Sequence, residues 1–262
     1  MTEIELHIAS STFDIGSKIN HLLVGLDNTK NNDGKKILEL CQFGKLLSTY
    51  FVEYDIIDGN REEPDFIIEN ENEKVGIELM RIFDIETKIQ EGYFETICNT
   101  AQKILEVDSN FPNFLICVYI HPNLKKCQSL KKKYVDILVD VVKDLVLNNK
   151  FTKNELVSHA TINKHSQKSI YPNLGAYFQK TITEHQIIES IKSKEKKLPT
   201  YIENSVSKQW LVLVIGNVGA SSLEVSEMFE MNTIETNFDR VFLYEDFGNK
   251  LFELNKGCKL AL

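Results

Sequence analysis

The chain has 262 residues, of which 42% are hydrophobic, so it can bury one large core, with or without an appended subdomain. We predict a single elaborated domain over residues 1–262. The formal net charge of −8 at pH 7 argues against a protein that coats nucleic acid nonspecifically, because affinity for phosphates comes mainly from Lys and Arg, but it does not exclude a local basic surface.

Residues 1–34 precede the predicted core. They begin with an apolar edge strand from Ile4 to Ala9 and end in a polar loop, and we interpret them as N-terminal decoration. The core, residues 35–147, begins with a predicted helix from Lys35 to Tyr50 and a strand from Phe51 to Ile57. Glu39 heads one stripe of that helix, followed at helical spacing by Phe43, Leu46 and Tyr50. A lone acid on such a stripe either reaches a site or lies at the edge of the core.

Residues 63–82, EPDFIIENENEKVGIELMRI, predict a β-hairpin whose register follows from its apolar residues. A turn centred on Glu71-Asn72 sets up the cross-strand pairs Phe66 with Ile77, Ile68 with Val75, and Glu69 with Lys74. The same register sets Asp65 opposite Glu78. Because side chains alternate along a strand, Val75, Ile77 and Leu79 face a core, while Gly76, Glu78 and Met80 face the other way.

The two carboxylates of this hairpin are predicted to share one face. With Cβ atoms roughly 5 Å apart, they repel by about 3 to 4 kcal/mol at an effective dielectric near 20. A hard cation such as Mg²⁺ or Mn²⁺, held with a backbone carbonyl or water, relieves that repulsion. Pro64 supports this hypothesis, because proline tends to start strands and so puts Asp65 at the first strand position. The alternative is an ordinary surface hairpin with a polar turn.

The chain after the hairpin contains further periodic segments. We predict a long helix from Ile85 to Val107, a buried central strand from Phe114 to Ile120 and a helix from Leu130 to Leu147. Residues 148–183 are short polar pieces, interpreted as a loop or small insertion; His159 and His165 within them fit no compact metal motif. Residues 184–262 are predicted to contain a helix at Ile187–Ile202, a buried strand at Trp210–Ile215, a short helix at Ser222–Met231, and a hairpin of Arg240–Glu245 with Lys250–Leu254.

Pro64-Asp65, the hairpin, and Glu78-Leu79-Met80 together resemble the PD-(D/E)xK nuclease superfamily, and the element order resembles the αβββαβ core of that family. The resemblance implies an α/β, restriction-endonuclease-like fold: a mixed central sheet flanked by helices, here with a C-terminal strand-helix-hairpin elaboration. It implies that Asp65, Glu78 and the Leu79 carbonyl bind Mg²⁺ or Mn²⁺, and that Glu39 is the helix-borne glutamate that many members carry.

The function implied by the resemblance is metal-dependent hydrolysis of DNA phosphodiester bonds in microbial defence or restriction, with RNA left open as a substrate. A homodimer and a defence-system partner protein are the partners expected of such a nuclease. Two alternatives stay open: an inactive nuclease-like module that binds nucleic acid or a protein partner, and a toxin- or immunity-type protein with an unrelated α/β fold.

The chain departs from the family at Met80, where the motif has its lysine. Its GIELMR resembles the GIEVTR strand of variant members, in which the lysine is thought to migrate to a later helix. In the helix predicted here, Lys194 falls in the middle of an apolar stripe and Lys197 at its edge, the stripe being Ile187, Ile191, Leu198 and Tyr201. A buried lysine needs a partner, and the site carboxylates are suitable ones. The alternative is that Pro199 ends the helix early and Lys194 extends to solvent.

Lysine clusters and cysteines complete the sequence-based predictions. The clusters at Lys125-Lys126, Lys131–Lys133 and Lys192–Lys197 are typical of solvated helix faces, and in a nuclease they are also natural phosphate contacts. The five cysteines are scattered, with no CxxC pair, which predicts reduced thiols. We find no apolar run of the roughly 18 residues that a membrane span requires. We therefore expect a soluble, cytoplasmic protein with no membrane partner.

Overall fold

A computed structural model describes residues 14–27, 30–59, 61–175, 178–216, 219–226, 234–254 and 259–260. Its helices are α1 (Ile15–Leu23), α2 (Asn31–Tyr50), α3 (Ile85–Glu106), α4 (Lys131–Asn148), α5 (Glu184–Glu195) and α6 (Leu198–Asn204). Its strands are β1 (Asp55–Asp58), β2 (Phe66–Glu69), β3 (Lys74–Arg81), β4 (Phe114–Ile120), β5 (Val157–Asn163), β6 (Lys168–Asn173), β7 (Lys180–Thr181), β8 (Gln209–Ile215), β9 (Leu223–Glu224), β10 (Arg240–Glu245), β11 (Lys250–Glu253) and β12 (Lys259–Leu260). The edge strand predicted at Ile4–Ala9 lies outside the described residues.

The chain divides into two compact units. Unit 1 comprises residues 1–83, 180–218 and 222–262, and unit 2 comprises residues 84–179 and 219–221. The single elaborated domain stays a prediction, because compactness does not test whether either unit folds alone. No helix in the described part of the chain combines the length and apolar character that crossing a membrane requires.

Unit 1 is built on a seven-stranded sheet in the order β1-β2-β3-β8-β10-β11-β12. The pairs β1-β2-β3 and β10-β11-β12 are antiparallel, whereas β8 is parallel to both β3 and β10. Apolar side chains of α1 and α2 pack on one face of this sheet, and those of α5 and α6 on the other. Every residue of β8 is buried, as expected of a strand covered on both faces. The predicted α/β class, with a mixed central sheet and flanking helices, is confirmed.

The hairpin has the predicted register. Phe66 pairs with Ile77, Ile68 with Val75, and Glu69 with Lys74. Asn70 closes the turn, its side-chain oxygen accepting hydrogen bonds from the backbone amides of Asn72 and Glu73 at 2.9 Å each. This side-chain turn fixes the register independently of the core, because Asn side chains readily bond backbone groups two residues on.

Unit 2 consists of α3, α4 and a three-stranded sheet in the order β5-β4-β6. β4 lies antiparallel to β5 and parallel to β6, and its alternate residues pack into one apolar core with α3 and α4. The prediction that Phe114–Ile120 continues the core sheet was wrong: β4 belongs to this separate sheet, and β8 is the strand beside β3. Both segments are apolar runs, so periodicity alone did not distinguish them.

Four element predictions need correction. Residues 148–183, predicted to be a loop or small insertion, contain strands β5, β6 and β7. The predicted helix Ile187–Ile202 is two helices, because Pro199 lacks an amide hydrogen and its ring clashes with the preceding turn. The strand predicted at Phe51–Ile57 begins only at Asp55. Leu223–Glu224 is a strand rather than part of a helix at Ser222–Met231, whose last residues, 227–231, lie outside the described ranges.

Candidate active site

Asp65 lies directly before β2 and opposite Glu78 in the hairpin register. Its Oδ2 accepts a hydrogen bond from the Leu79 amide at 2.7 Å. Burial raises the pKa of the Asp65 carboxyl to about 7, the charge of Glu78 adds to that rise, and the Leu79 hydrogen bond opposes it. Asp65 is therefore a carboxyl that gains or loses its proton near neutral pH.

Glu78 points to the α5 and α6 face of β3, where its side chain is 5% exposed. The ammonium of Lys194 lies 2.5 Å from Glu78 Oε1. A buried carboxylate of this kind requires a charged partner, and Lys194 supplies it. The predicted pairing of Lys194 with a site carboxylate is thus present, even though the helix that carries it ends at Glu195.

Tyr201 completes the buried surroundings of Glu78. Its hydroxyl lies beside the same carboxylate, although neither Tyr201 Oη nor Glu78 Oε2 has a partner that meets ordinary hydrogen-bond geometry. Burial, and then the charge of Glu78, hold the pKa of the Tyr201 hydroxyl well above its usual range. Tyr201 therefore stays protonated and is available as a donor.

The Leu79 carbonyl faces the same side of β3 as its amide. Gly76 donates to Lys208 of the segment entering β8, and Ile82 donates to Val214 of β8, so even-numbered residues of β3 turn their backbone groups toward β8. By alternation, Leu79 turns its amide and carbonyl toward β2, where its amide meets Asp65. Asp65 accepts a hydrogen bond from Leu79 and is affected by the charge of Glu78, so these three residues lie together at the start of β2.

Glu39 and Lys197 lie at the margin of this cluster. Glu39 on α2 is 3.8 Å from Arg81, which points to the α2 face of β3, the core face predicted for it. Lys197, between α5 and α6, pairs with Glu63 at 2.7 Å. Glu39 contributes to the raised pKa of Asp65. The hydrogen bond and charge of Glu63, with smaller contributions from Glu78 and Asp65, raise the pKa of Lys197.

Two cations that position Asp65 were missed from the sequence. Lys36 donates to the Asp65 carbonyl at 3.2 Å and lies 4.5 Å above the Phe66 ring. Arg61 donates to the Pro64 carbonyl at 2.9 Å and to the Asn204 carbonyl at 2.7 Å. Lys36 was detectable, because it stands one helical turn before Glu39 on the same face. Arg61 had no periodic signal, since it acts from an irregular loop.

Hard oxygen ligands fit this cluster better than soft ones. In the residues that the structure describes, no group of three or more His, Cys, Asp or Glu side chains could hold a metal ion. The predicted ligands are instead two carboxylates and a backbone carbonyl, the donor types that suit Mg²⁺ and Mn²⁺. The buried Glu78 Oε2, which lacks a hydrogen-bond partner, is consistent with a further ligand there.

Unit 1 is therefore an α/β sheet domain that carries a buried acid–lysine cluster at the edge of its hairpin. Comparisons of the chain with protein-family models, with curated proteins and with solved structures found no match.

Proposed function

We propose that unit 1 is a metal-dependent nuclease of the PD-(D/E)xK type whose catalytic lysine comes from α5. The observation that carries the proposal is the 2.5 Å contact between Lys194 Nζ and Glu78 Oε1. In this proposal Glu78 is the motif glutamate, and the Lys194 ammonium supplies the charge that the motif lacks at Met80. Met80 itself lies next to this position, its sulfur 4.0 Å from the hydroxyl of Ser193.

The topology of unit 1 supports the restriction-endonuclease-like assignment. α2 precedes an antiparallel β1-β2-β3 meander, and after α5 and α6 the chain returns as β8, parallel to β3. Leaving out residues 84–179, which belong to unit 2, and the two-residue strand β7, and counting α5 with α6 as one helical segment, the run from α2 to β8 has an α-β-β-β-α-β order. The acidic residues stand in β3 and at the start of β2, where the family motif stands.

Asp65, Glu78 and the Leu79 carbonyl would hold the metal. A bound Mg²⁺ or Mn²⁺ supplies a Lewis acid that polarises a phosphoryl oxygen and lowers the pKa of a bound water. Asp65 contributes in its ionised form, so with a pKa of about 7 its occupancy as a ligand rises with pH toward 7. The Leu79 amide keeps the Asp65 carboxylate oriented during this change.

Lys194 would stabilise charge that develops on the scissile phosphate. Its ammonium is buried enough to act at low effective dielectric, with a side chain 22% exposed, and Glu78 holds it in place. Lys197 is more exposed and pairs with Glu63, so it is suited to a phosphate farther along the strand. Tyr201 can donate to Glu78 and so fix the carboxylate beside Lys194.

The test compares two lysines on one helix. Lys194→Ala removes the ammonium beside Glu78, whereas Lys192→Ala removes an exposed ammonium that pairs with Glu189. Cleavage of plasmid DNA, linear DNA and RNA in Mg²⁺ or Mn²⁺ should be lost in Lys194→Ala and retained in Lys192→Ala, while calorimetry should find metal affinity kept in both. Full cleavage by Lys194→Ala, or by Asp65→Ala and Glu78→Ala, contradicts the proposal.

The inactive module is favoured by one reading of the same contact. If the Lys194 ammonium takes the place of a metal on Glu78, the cluster is already neutralised and needs no ion. Nucleic acid or a protein partner would then bind without turnover. Calorimetric titration with Mn²⁺ distinguishes the nuclease from the inactive module. A metal site gives binding heat in the wild type that is lost in Asp65→Ala, whereas an inactive cluster gives no such heat in either protein.

A further inference from the structure

Among the described residues of unit 2, α3 and α4 pack on one face of the sheet, and no helix of this unit packs on the other. Along β4, alternate residues from Phe114 to Ile120 are buried in the core with α3 and α4, and the residues between them point the other way. We call this second side the open face. The pairing of β4 with β5 and β6 assigns nine side chains to it: Leu115, Cys117, Tyr119, His159, Thr161, Asn163, Ser169, Tyr171 and Asn173. Tyr171 at the centre of one strand is 57% exposed.

The open face carries flat rings and neutral hydrogen-bonding groups. Tyr119 and His159 are cross-strand partners with ring centroids 5.5 Å apart. Tyr171 lies opposite Cys117, one row of the sheet away from Tyr119 and so about 7 Å along the strand. Thr161 and Asn163 are exposed beside them. None of the nine side chains is a carboxylate.

The charge of this part of the chain favours an anionic partner. Residues 84–179 of unit 2 contain twelve lysines and ten acidic residues, a small positive excess, whereas the whole chain has a net charge of −8. Lys164 follows Asn163 at the end of β5, in an exposed loop that passes the start of β4 and is tied there by a hydrogen bond from the Phe114 amide to the Gln167 carbonyl. Lys164 at the edge of the open face can contact a phosphate, and the rings of Tyr119 and Tyr171 on the face itself can stack with bases.

We propose that the open face binds single-stranded nucleic acid, with unpaired bases stacked on Tyr119 and Tyr171. A duplex keeps its bases within its own stack and offers phosphates, but the rows of this face carry no lysine to meet them. Unpaired bases can lie flat on aromatic side chains and bond to neutral polar groups, as they do on other open sheets. The inference depends on the proposed function only in choosing nucleic acid as the partner.

The first experiment measures binding without turnover. The full chain in EDTA is titrated into fluorescein-labelled oligonucleotides of about 12 nucleotides, one of deoxythymidine and one of uridine. Tyr171→Ala should weaken binding by about 5-fold to 100-fold, the range for loss of one stacked base. Tyr171→Phe keeps the ring and should bind like the wild type. Phe247→Ala, which removes an 81% exposed ring in unit 1, is the matched control and should change nothing.

Salt dependence gives a second readout. Lys164→Ala should reduce the slope of log affinity against log salt by about 0.7, the value for one phosphate contact on a single strand. Lys143→Ala, an exposed lysine on α4, should leave the slope unchanged. The stronger of the two oligonucleotides identifies DNA or RNA as the ligand.

The proposal is overturned if neither oligonucleotide binds, if unlabelled duplex displaces them better than a single strand does, or if Tyr171→Ala binds like the wild type. If Tyr171→Ala instead lowers the molar mass in light scattering, the open face is a protein interface. These outcomes are separate from cleavage. Binding in EDTA without nuclease activity would support binding at the open face and contradict the proposed nuclease. Nuclease activity without binding in EDTA would support the nuclease and contradict binding at the open face.

Discussion

Replacing Asp65 by asparagine should stabilise the protein, in contrast to most substitutions of a buried polar residue. The side-chain oxygen of the asparagine in Asp65→Asn can still accept the hydrogen bond from the Leu79 amide, but the asparagine adds no charge beside Glu78. Because the folded pKa of Asp65 is about 7, above its usual 3.8, the folded state loses stability as pH rises from about 4 to 7. That difference in pKa corresponds to about 4 kcal/mol above pH 7. We expect a gain of about 2 to 4 kcal/mol at pH 8 and less than about 1 kcal/mol at pH 4.

Urea unfolding of both proteins in EDTA from pH 4 to 8 measures this gain. Asp136→Asn, an exposed acid on α4, is the control and should show no gain that grows with pH. Adding Mg²⁺ at pH 8 should then stabilise the wild type and leave Asp65→Asn unchanged, because a ligand stabilises only the state that binds it. The reasoning is refuted if Asp65→Asn is no more stable than the wild type at pH 8 in EDTA, or if the difference does not grow between pH 4 and 7.

Three further predictions concern packing, the lysine and assembly. Gly76→Ala should destabilise the protein by about 1 to 3 kcal/mol, because a Cβ there would lie 2.4 Å from the Gln209 side-chain oxygen; Gly92→Ala, with nothing within 4 Å in α3, should be neutral or stabilising in the same melts. Met80→Lys in the Lys194→Ala background should recover part of the cleavage, measured on plasmid DNA. Equal recovery by Met80→Arg in the same background would contradict a specific need for an amine. Light scattering at micromolar concentration should give twice the 30.1 kDa monomer mass for the expected two-fold dimer, and a monomer mass would end that prediction.

The register of the hairpin and the inward position of Lys194 were predictable because the local sequence pattern specifies both. Apolar alternation in β2 and β3 sets the register, since a slip by one residue would expose every core side chain. Lys194 was predictable from its place between Ile187, Ile191, Leu198 and Tyr201, all of which are buried. The break before Leu198 did not alter this, because α6 continues to bury the same side of the segment.

The sheet to which β4 belongs was not predictable from local pattern. FLICVYI and WLVLVI are both apolar runs, and which strand lies beside β3 depends on how the chain returns after some hundred residues. The two strands differ only in their tertiary packing: β8 is buried on both faces, whereas β4 alternates between buried and half-buried residues. The same reason explains why the mostly polar sequences of β5 and β6 predict a loop or small insertion rather than strands.

The acid–lysine cluster of unit 1 puts charged groups in a largely apolar part of the fold, and this supports a use beyond stability. Removing Glu78 and Lys194 from water carries a desolvation cost that can exceed what the ion pair returns. Burial, and then repulsion by the charge of Glu78, raise the pKa of Asp65, so ionising Asp65 in the folded state opposes folding at neutral pH. The sheet face around Glu78 is otherwise apolar and could have held an apolar residue at that position. Local features that oppose stability, with a perturbed pKa and a specific charge partner, are typical of binding and catalytic sites. A cation that bridges Asp65 and Glu78 would convert this repulsion into attraction, which is why we expect the free energy of unfolding to depend on Mg²⁺ only while Asp65 is present.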